Sequence, residues 1–109
     1  MDNFLSELGE GFSYIKNEYK SKLGDKYNYI DLLIYNIKYN CYVVVELKVT
    51  ELRKEHICQI KLYMNYIDKN IKKIYQDNTI GIIIVKKDNK FVMEYCSDDR
   101  IFSKEYNFI

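Results

Sequence analysis

The chain has 109 residues, a length that fits one compact domain with one hydrophobic core, expected to span residues 1–109. Hydrophobic residues make up 48% and charged residues 30%, which excludes a disordered chain and indicates a soluble globular one. The net charge of +1 gives no bulk argument for a polyanionic partner.

Three cysteines, Cys41, Cys58 and Cys96, are widely spaced with no CxxC pair. That pattern fits free thiols in a reducing compartment and small core side chains, not a disulfide framework. His56 is the only histidine, which argues against Cys/His zinc and multi-histidine metal sites, and it is expected on a helix surface. No apolar run reaches transmembrane length, and the N-terminus lacks a basic-then-apolar signal pattern. A cytoplasmic location without a membrane partner is expected. The twelve tyrosines accompany many Lys, Asn and Ile residues and no Pro or Trp. This composition reads as coding bias before it reads as a stacking platform.

In chain order, Asp2 or Asn3 caps a short helix through Phe4, Leu5 and Leu8, and Gly9 and Gly11 end it. A strand over 14–22 turns at Gly24 and Asp25. Residues 29–35 and 41–48 read as two further strands, and the polar stretch 36–40 between them makes a hairpin. Thr50 is the expected N-cap of the clearest helix, with Glu51 in its first turn. Its core stripe is Ile57, Ile60, Met64, Ile67, Ile71 and Ile74. Asn78 closes that region. The run from Ile80 to Val85 is continuously apolar, as in a buried parallel strand. Residues 86–90 form a turn, 91–95 fit either strand or helix, and 101–108 fit an edge strand. The order is α-β-β-β-α-β with a C-terminal addition. This is an α/β class with a mixed central sheet flanked by helices.

The hairpin over 29–48 concentrates the chemistry. A turn centred on Lys38 and Tyr39 sets Tyr35 opposite Tyr42, Leu33 opposite Val44, and Asp31 opposite Glu46. Opposed Cβ atoms lie about 5 Å apart, and like charges so placed destabilise the pair. Lys48, two residues after Glu46, points to the same side. Two carboxylates and an amine around a divalent cation make a phosphoryl-transfer arrangement. Between Lys48 and Lys73 there are seven basic residues against three acidic, suited to a phosphate backbone or to an ordinary solvated helix face.

The element order, with Asp on the second strand and Glu-x-Lys on the third, resembles the PD-(D/E)XK nuclease superfamily, the restriction-endonuclease-like fold. More narrowly, FLSELGEGF (4–12), YIDLLIY (29–35), VELK (45–48), QIKLYMN (59–65), IGII (80–83) and VMEY (92–95) resemble its YhcG-like nuclease domain. The match runs in order over nearly the whole chain. It implies a metal-dependent endonuclease acting on nucleic acid, DNA in the first instance. Glu7, Asp31 and Glu46 would bind magnesium, with manganese the alternative. Asp31, Glu46, Lys48 and Gln59 would form the catalytic set, with Lys48 orienting the attacking water. Lys48, Arg53, Lys54, Lys61 and Tyr63 would contact nucleic acid.

The chain departs from the family pattern at Val49-Thr50, where Gly is frequent, and at Arg53-Lys54 and His56, where Pro and Tyr are. It also has Asn17-Glu18 where Arg-Gln is usual, and hairpin arithmetic sets Glu18 opposite Asp31. Longer relatives carry an N-terminal domain; Met1 lies almost at the first helix, so the expectation is a nuclease domain without it. Target recognition is expected to be lost with that domain or supplied by a separate subunit, and a homo-oligomer is a further expected assembly. The competing readings are a degenerate nucleic-acid-binding module and a protein-interaction subunit with the same fold.

Overall fold

The computed structural model describes residues 11–106. The predicted first helix, with Glu7, lies outside the described residues, as do the last residues of the predicted final strand. The described elements are β1 (Phe12–Leu23), β2 (Lys26–Asn36), β3 (Cys41–Glu51), α1 (Lys54–Asn70), β4 (Asp77–Lys87), α2 (Lys90–Cys96) and β5 (Ile101–Glu105). The strands form one sheet in sequence order. β1, β2 and β3 pair antiparallel, whereas β3–β4 and β4–β5 pair parallel. The expected meander and mixed sheet are therefore present. Gly24, at φ 66, supplies the left-handed residue of the first turn.

The helix α1 lies across one face. Ile57, Ile60, Tyr63, Met64 and Ile67 pack on Ile30, Leu33, Val44, Ile83, Val85 and Ile101. The opposite face carries Leu32, Ile34, Val43, Val45, Ile82 and Ile84 as a second buried cluster. Strands buried on both faces explain the unbroken apolar runs in β3 and β4. Gly81 permits the close helix approach, since a Cβ there would meet Ile60 Cδ1 and Met64 Sδ at 2.8 Å. Asp68 joins the far end of α1 to the sheet. Its carboxylate accepts from Thr79 N (2.9 Å), Thr79 Oγ1 (2.7 Å) and the Arg100 guanidinium (3.3 Å).

Several boundaries differ from the sequence reading. Thr50 is no N-cap: the β-branched pair Val49-Thr50 continues β3 to Glu51, and the helix begins at Lys54. His56 Nδ1 accepts from Arg53 N–H at 3.1 Å and closes the N-terminus. The stripe holds through Ile71, which packs against the core, but not to Ile74. Ile71 N–H and Lys72 N–H both bond Ile67 O, which closes the last turn, and Ile74 emerges 98% exposed. Residues 91–95 resolve as helix, because the Asn89 side chain accepts from Phe91 N and Val92 N as an N-cap. Of the cysteines, Cys41 is buried, but Cys58 and Cys96 are exposed on helix surfaces and are not core residues.

Candidate active site

The β2–β3 ladder runs from Asn36↔Cys41 to Leu32↔Val45, in the register read from the sequence. The next pair would be Asp31 and Glu46, and there the backbone ladder stops. The side chains replace it. Asp31 N–H donates to Glu46 Oε2 at 2.8 Å, and Leu47 N–H donates to Asp31 Oδ2 at 2.8 Å. Each carboxylate thus crosses to the backbone of the other strand.

β2 is irregular on its other side as well. Asn17↔Leu32 and Tyr19↔Ile30 are paired, Glu18↔Asp31 is not, and Glu18 adopts φ 48. Ile30 packs in the helix-side cluster and Leu32 in the opposite one, although they are two residues apart. Strand alternation is broken at Asp31. β2 leaves β3 at this point and continues with β1 alone, while β3 continues with β4. The carboxylates sit at the apex of that divergence.

Glu46 is 3% exposed, and its carboxyl is pushed up to about 7. Burial is the first cause and the Asp31 charge adds to it; the Asp31 N–H and the Lys48 charge act against it. No described cation lies within salt-bridge distance of either carboxylate, since the ion pairs among the described residues are Lys61–Asp98 and Arg100–Asp68. Oε1 of Glu46 and Oδ1 of Asp31 accept no hydrogen bond from a described residue.

Lys48 turns to α1, where its Nζ donates to Gln59 Oε1 at 2.9 Å. Gln59 Nε2 in turn donates to the Tyr63 hydroxyl at 3.3 Å. One helical turn separates Gln59 from Tyr63, so both reach the strand from one helix face. Asp31, Glu46, Lys48 and Gln59 are therefore brought together. Tyr63 joins them in a different role from the one expected. At 3% exposure it presents no ring to a nucleic acid, and its hydroxyl fixes Gln59 instead. Burial first, then the Glu46 charge, raises the Tyr63 phenol above its ordinary value.

Arg53 and Lys54 are exposed at the start of α1. Lys61 is tied to the loop after α2, through Cys96 O (3.5 Å) and Asp98 (3.9 Å), and does not join Lys48. Glu18 adds no third acid: no group of three potential metal-ligating side chains occurs among the described residues. The donor set of Asp31 and Glu46 consists of hard oxygens, one on each without a described hydrogen-bond partner. That suits a magnesium-type ion, which keeps several waters and takes one or two carboxylates. The kink that opens the site carries no sequence signal beyond the unpaired like charges.

The sequence matches the family described as the YhcG PDDEXK nuclease domain over residues 1–108. It is 24% identical over 82 residues to the Escherichia coli (strain K12) protein named "Putative nuclease YhcG", an alignment covering 75% of this chain and 22% of that protein. The chain thus spans about a fifth of the relative it matches. Two solved structures share the fold. One is a repair endonuclease from Pyrococcus abyssi, with TM-score 0.64 and 20% identity over 98% of this chain and 45% of that one. The other is an EndoMS–dsDNA complex, with TM-score 0.63 and 18% identity over 99% of this chain and 46% of that one.

Proposed function

The chain belongs to the YhcG PDDEXK nuclease domain family, and from that premise we propose that it is a metal-dependent endonuclease hydrolysing phosphodiester bonds, with DNA as substrate. One observation carries the proposal: a buried Glu46 carboxylate beside Asp31, with no described cation in salt-bridge distance, at the opening of β2 from β3. A fold tolerates such a pair when a bound cation neutralises it. Asp31 and Glu46 would hold magnesium, or manganese, through their remaining oxygens, and Glu7 is the proposed third ligand. Such an ion supplies charge stabilisation at the phosphate and acidifies a bound water.

The protein's own residues do the positioning. Asp31 and Glu46 are fixed by the backbone N–H groups of Leu47 and Asp31, so their remaining oxygens hold one geometry. Lys48 spends one N–H on Gln59 and keeps two for the phosphate oxygens, on which charge develops as water adds and the ester oxygen leaves. Exposed Arg53 and Lys54 add backbone attraction at the start of α1. The repair-endonuclease and DNA-complex structures that share the fold support DNA as the substrate.

The test is cleavage of supercoiled plasmid with magnesium, wild type beside Glu46→Ala. Nicking or linearisation by wild type alone is expected. Equal cutting by both proteins would place the activity elsewhere. Binding without cutting by wild type would favour a module that keeps the fold without turnover.

A further inference from the structure

The β1–β2 hairpin continues past the point where β2 stops pairing with β3. β1 and β2 pair from Phe12↔Asn36 out to Leu23↔Lys26, whereas β2 and β3 pair only over 32–36 and 41–45. The tip half of the hairpin therefore diverges from β3, starting at Asp31, while β3 runs on to Glu51 beside β4. Its two faces differ. Tyr19, Leu23 and Ile30 belong to the core beneath α1. The pairs Lys20↔Tyr29 and Lys22↔Tyr27 occupy the other face.

On that face Tyr27 and Tyr29 are each 54% exposed, and both lysines are exposed. Lys20 Nζ lies 4.1 Å and Lys22 Nζ 5.7 Å from the centroid of the Tyr27 ring, which gathers two ammonium groups in one place. Neither lysine has an acidic partner among the described ion pairs. Lysines on an edge strand also discourage sheet-to-sheet pairing. That role does not account for Tyr27 and Tyr29, which add exposed aromatic surface on the inner strand of the hairpin.

We propose that this lysine–tyrosine face is a nucleic-acid contact, holding the phosphate backbone of the segment that flanks the scissile bond. It rests on the reading of the Asp31–Glu46 apex as a nuclease centre, because the arm springs from that apex. The phosphates would lie on Lys20 and Lys22, with the Tyr27 ring keeping their ammonium groups together. Tyr29 offers a face to any unpaired base beside them.

The experiment is fluorescence anisotropy with a short labelled single-stranded DNA and with its duplex, in chelator, across a salt series. Lys20→Ala/Lys22→Ala should weaken binding about 5- to 20-fold at low salt. It should reduce the slope of log K against log salt by about 1.4 on the single strand or 1.8 on the duplex. The probe that shows its expected change identifies the bound form. Tyr27→Ala should lose part of that affinity and Tyr27→Phe should keep it. Magnesium-dependent cleavage should show a raised KM with kcat retained. All four side chains are surface ones, so unchanged thermal melts are expected. Variants with wild-type affinity, salt slope and KM would overturn the hairpin contact while leaving the nuclease reading intact. A wild type that binds through these residues but never cuts would do the reverse.

Discussion

Glu46 and Asp68 are two carboxylates set against one sheet, and the protein treats them oppositely. Asp68 accepts from Thr79 N, Thr79 Oγ1 and the Arg100 guanidinium, so its charge is matched and its acceptors are used. Glu46 is more deeply buried, takes one backbone N–H, faces another acid and has no described cation in salt-bridge distance. Asp68 fastens α1 to β4 and β5. Glu46 sits where a ladder has been broken to make room. Complete pairing marks an acid that holds structure, and the acid left open is the one proposed above to hold the cation.

The largest expected effect tests the open side of this contrast. Lys48→Ala should keep the fold and divalent-cation binding but lower cleavage by about 10²-fold or more, the scale of one lost transition-state electrostatic contact. Lys48→Arg should rescue poorly, because a planar guanidinium does not replace a compact ammonium that is already held by Gln59. Single-turnover cleavage alongside calorimetric titration of magnesium separates the two functions. A Lys48→Ala protein that cuts like wild type would remove Lys48 from the chemistry. In the same titration Asp31→Asn should weaken magnesium binding.

The second effect is on stability. The Glu46 carboxyl ordinarily titrates near 4.5 and in the folded chain near 7, so the fold binds more protons than the unfolded chain between these values. Its contribution is complete below about pH 4.5 and is lost as pH rises through about 7. The loss amounts to about 3 kcal/mol in metal-free protein. Glu46→Gln should abolish that slope and be the more stable protein at pH 8 in chelator, as read by urea unfolding. His56 runs the other way. Burial first, then Lys48 and Arg53, holds its imidazole below the ordinary 6.5, and its Nδ1 must stay unprotonated to accept from Arg53 N–H. Its contribution is complete above about pH 6.5 and fades as pH falls through the lowered value. Comparing wild type with Glu46→Gln cancels the His56 term.

Asp68→Asn supplies the converse. It keeps the shape but removes the charge from a half-buried pair with Arg100 and turns one acceptor into a donor. A stability loss of about 2 kcal/mol is expected, below the full cost of breaking a buried pair because both groups retain some solvent. Specific activity of the folded fraction should stay at the wild-type level. A gain in stability from Asp68→Asn, or a loss from Glu46→Gln in chelator, would erase the distinction between the two acids.

Much of this was legible in the sequence, and the remainder has physical reasons. Cross-strand partners followed from turn position and alternation, because Leu33, Val44, Tyr35 and Tyr42 must keep their faces. That register alone brought Asp31, Glu46 and Lys48 together. The helix stripe was readable through Ile71, which caps the helix and still packs on the core, but Ile74 continues the spacing past a helix that backbone bonds to Ile67 O had already closed. Val49 and Thr50 look like the approach to a cap and are strand, since branched side chains extend β3. The departure of β2 from β3 has no periodic signature. It arises from side chains replacing backbone partners, which pattern reading does not represent. Two residues took roles of their own: His56 at the helix cap and Tyr63 behind Gln59.

Tyr63 gives the finest test of the contrast, because it asks how far the open site is held by closed pairing. The Gln59 amide is fixed at both ends: Oε1 accepts from Lys48, and Nε2 donates to the Tyr63 hydroxyl. That polarity sets which end of the amide meets the ammonium. Tyr63→Phe keeps the buried ring but leaves Nε2 without its acceptor, at a cost of about 1 kcal/mol. The amide is then freer to rotate, and Lys48 loses orientation but not charge. Cleavage should fall by about 3- to 10-fold in kcat, the equivalent of about 1 kcal/mol, with KM unchanged because the ring touches no substrate. Gln59→Glu should not reproduce this, since a carboxylate would pair with Lys48 outright and draw it from the phosphate. If Tyr63→Phe instead raises KM and spares kcat, the tyrosine meets substrate in solution and the positioning role falls.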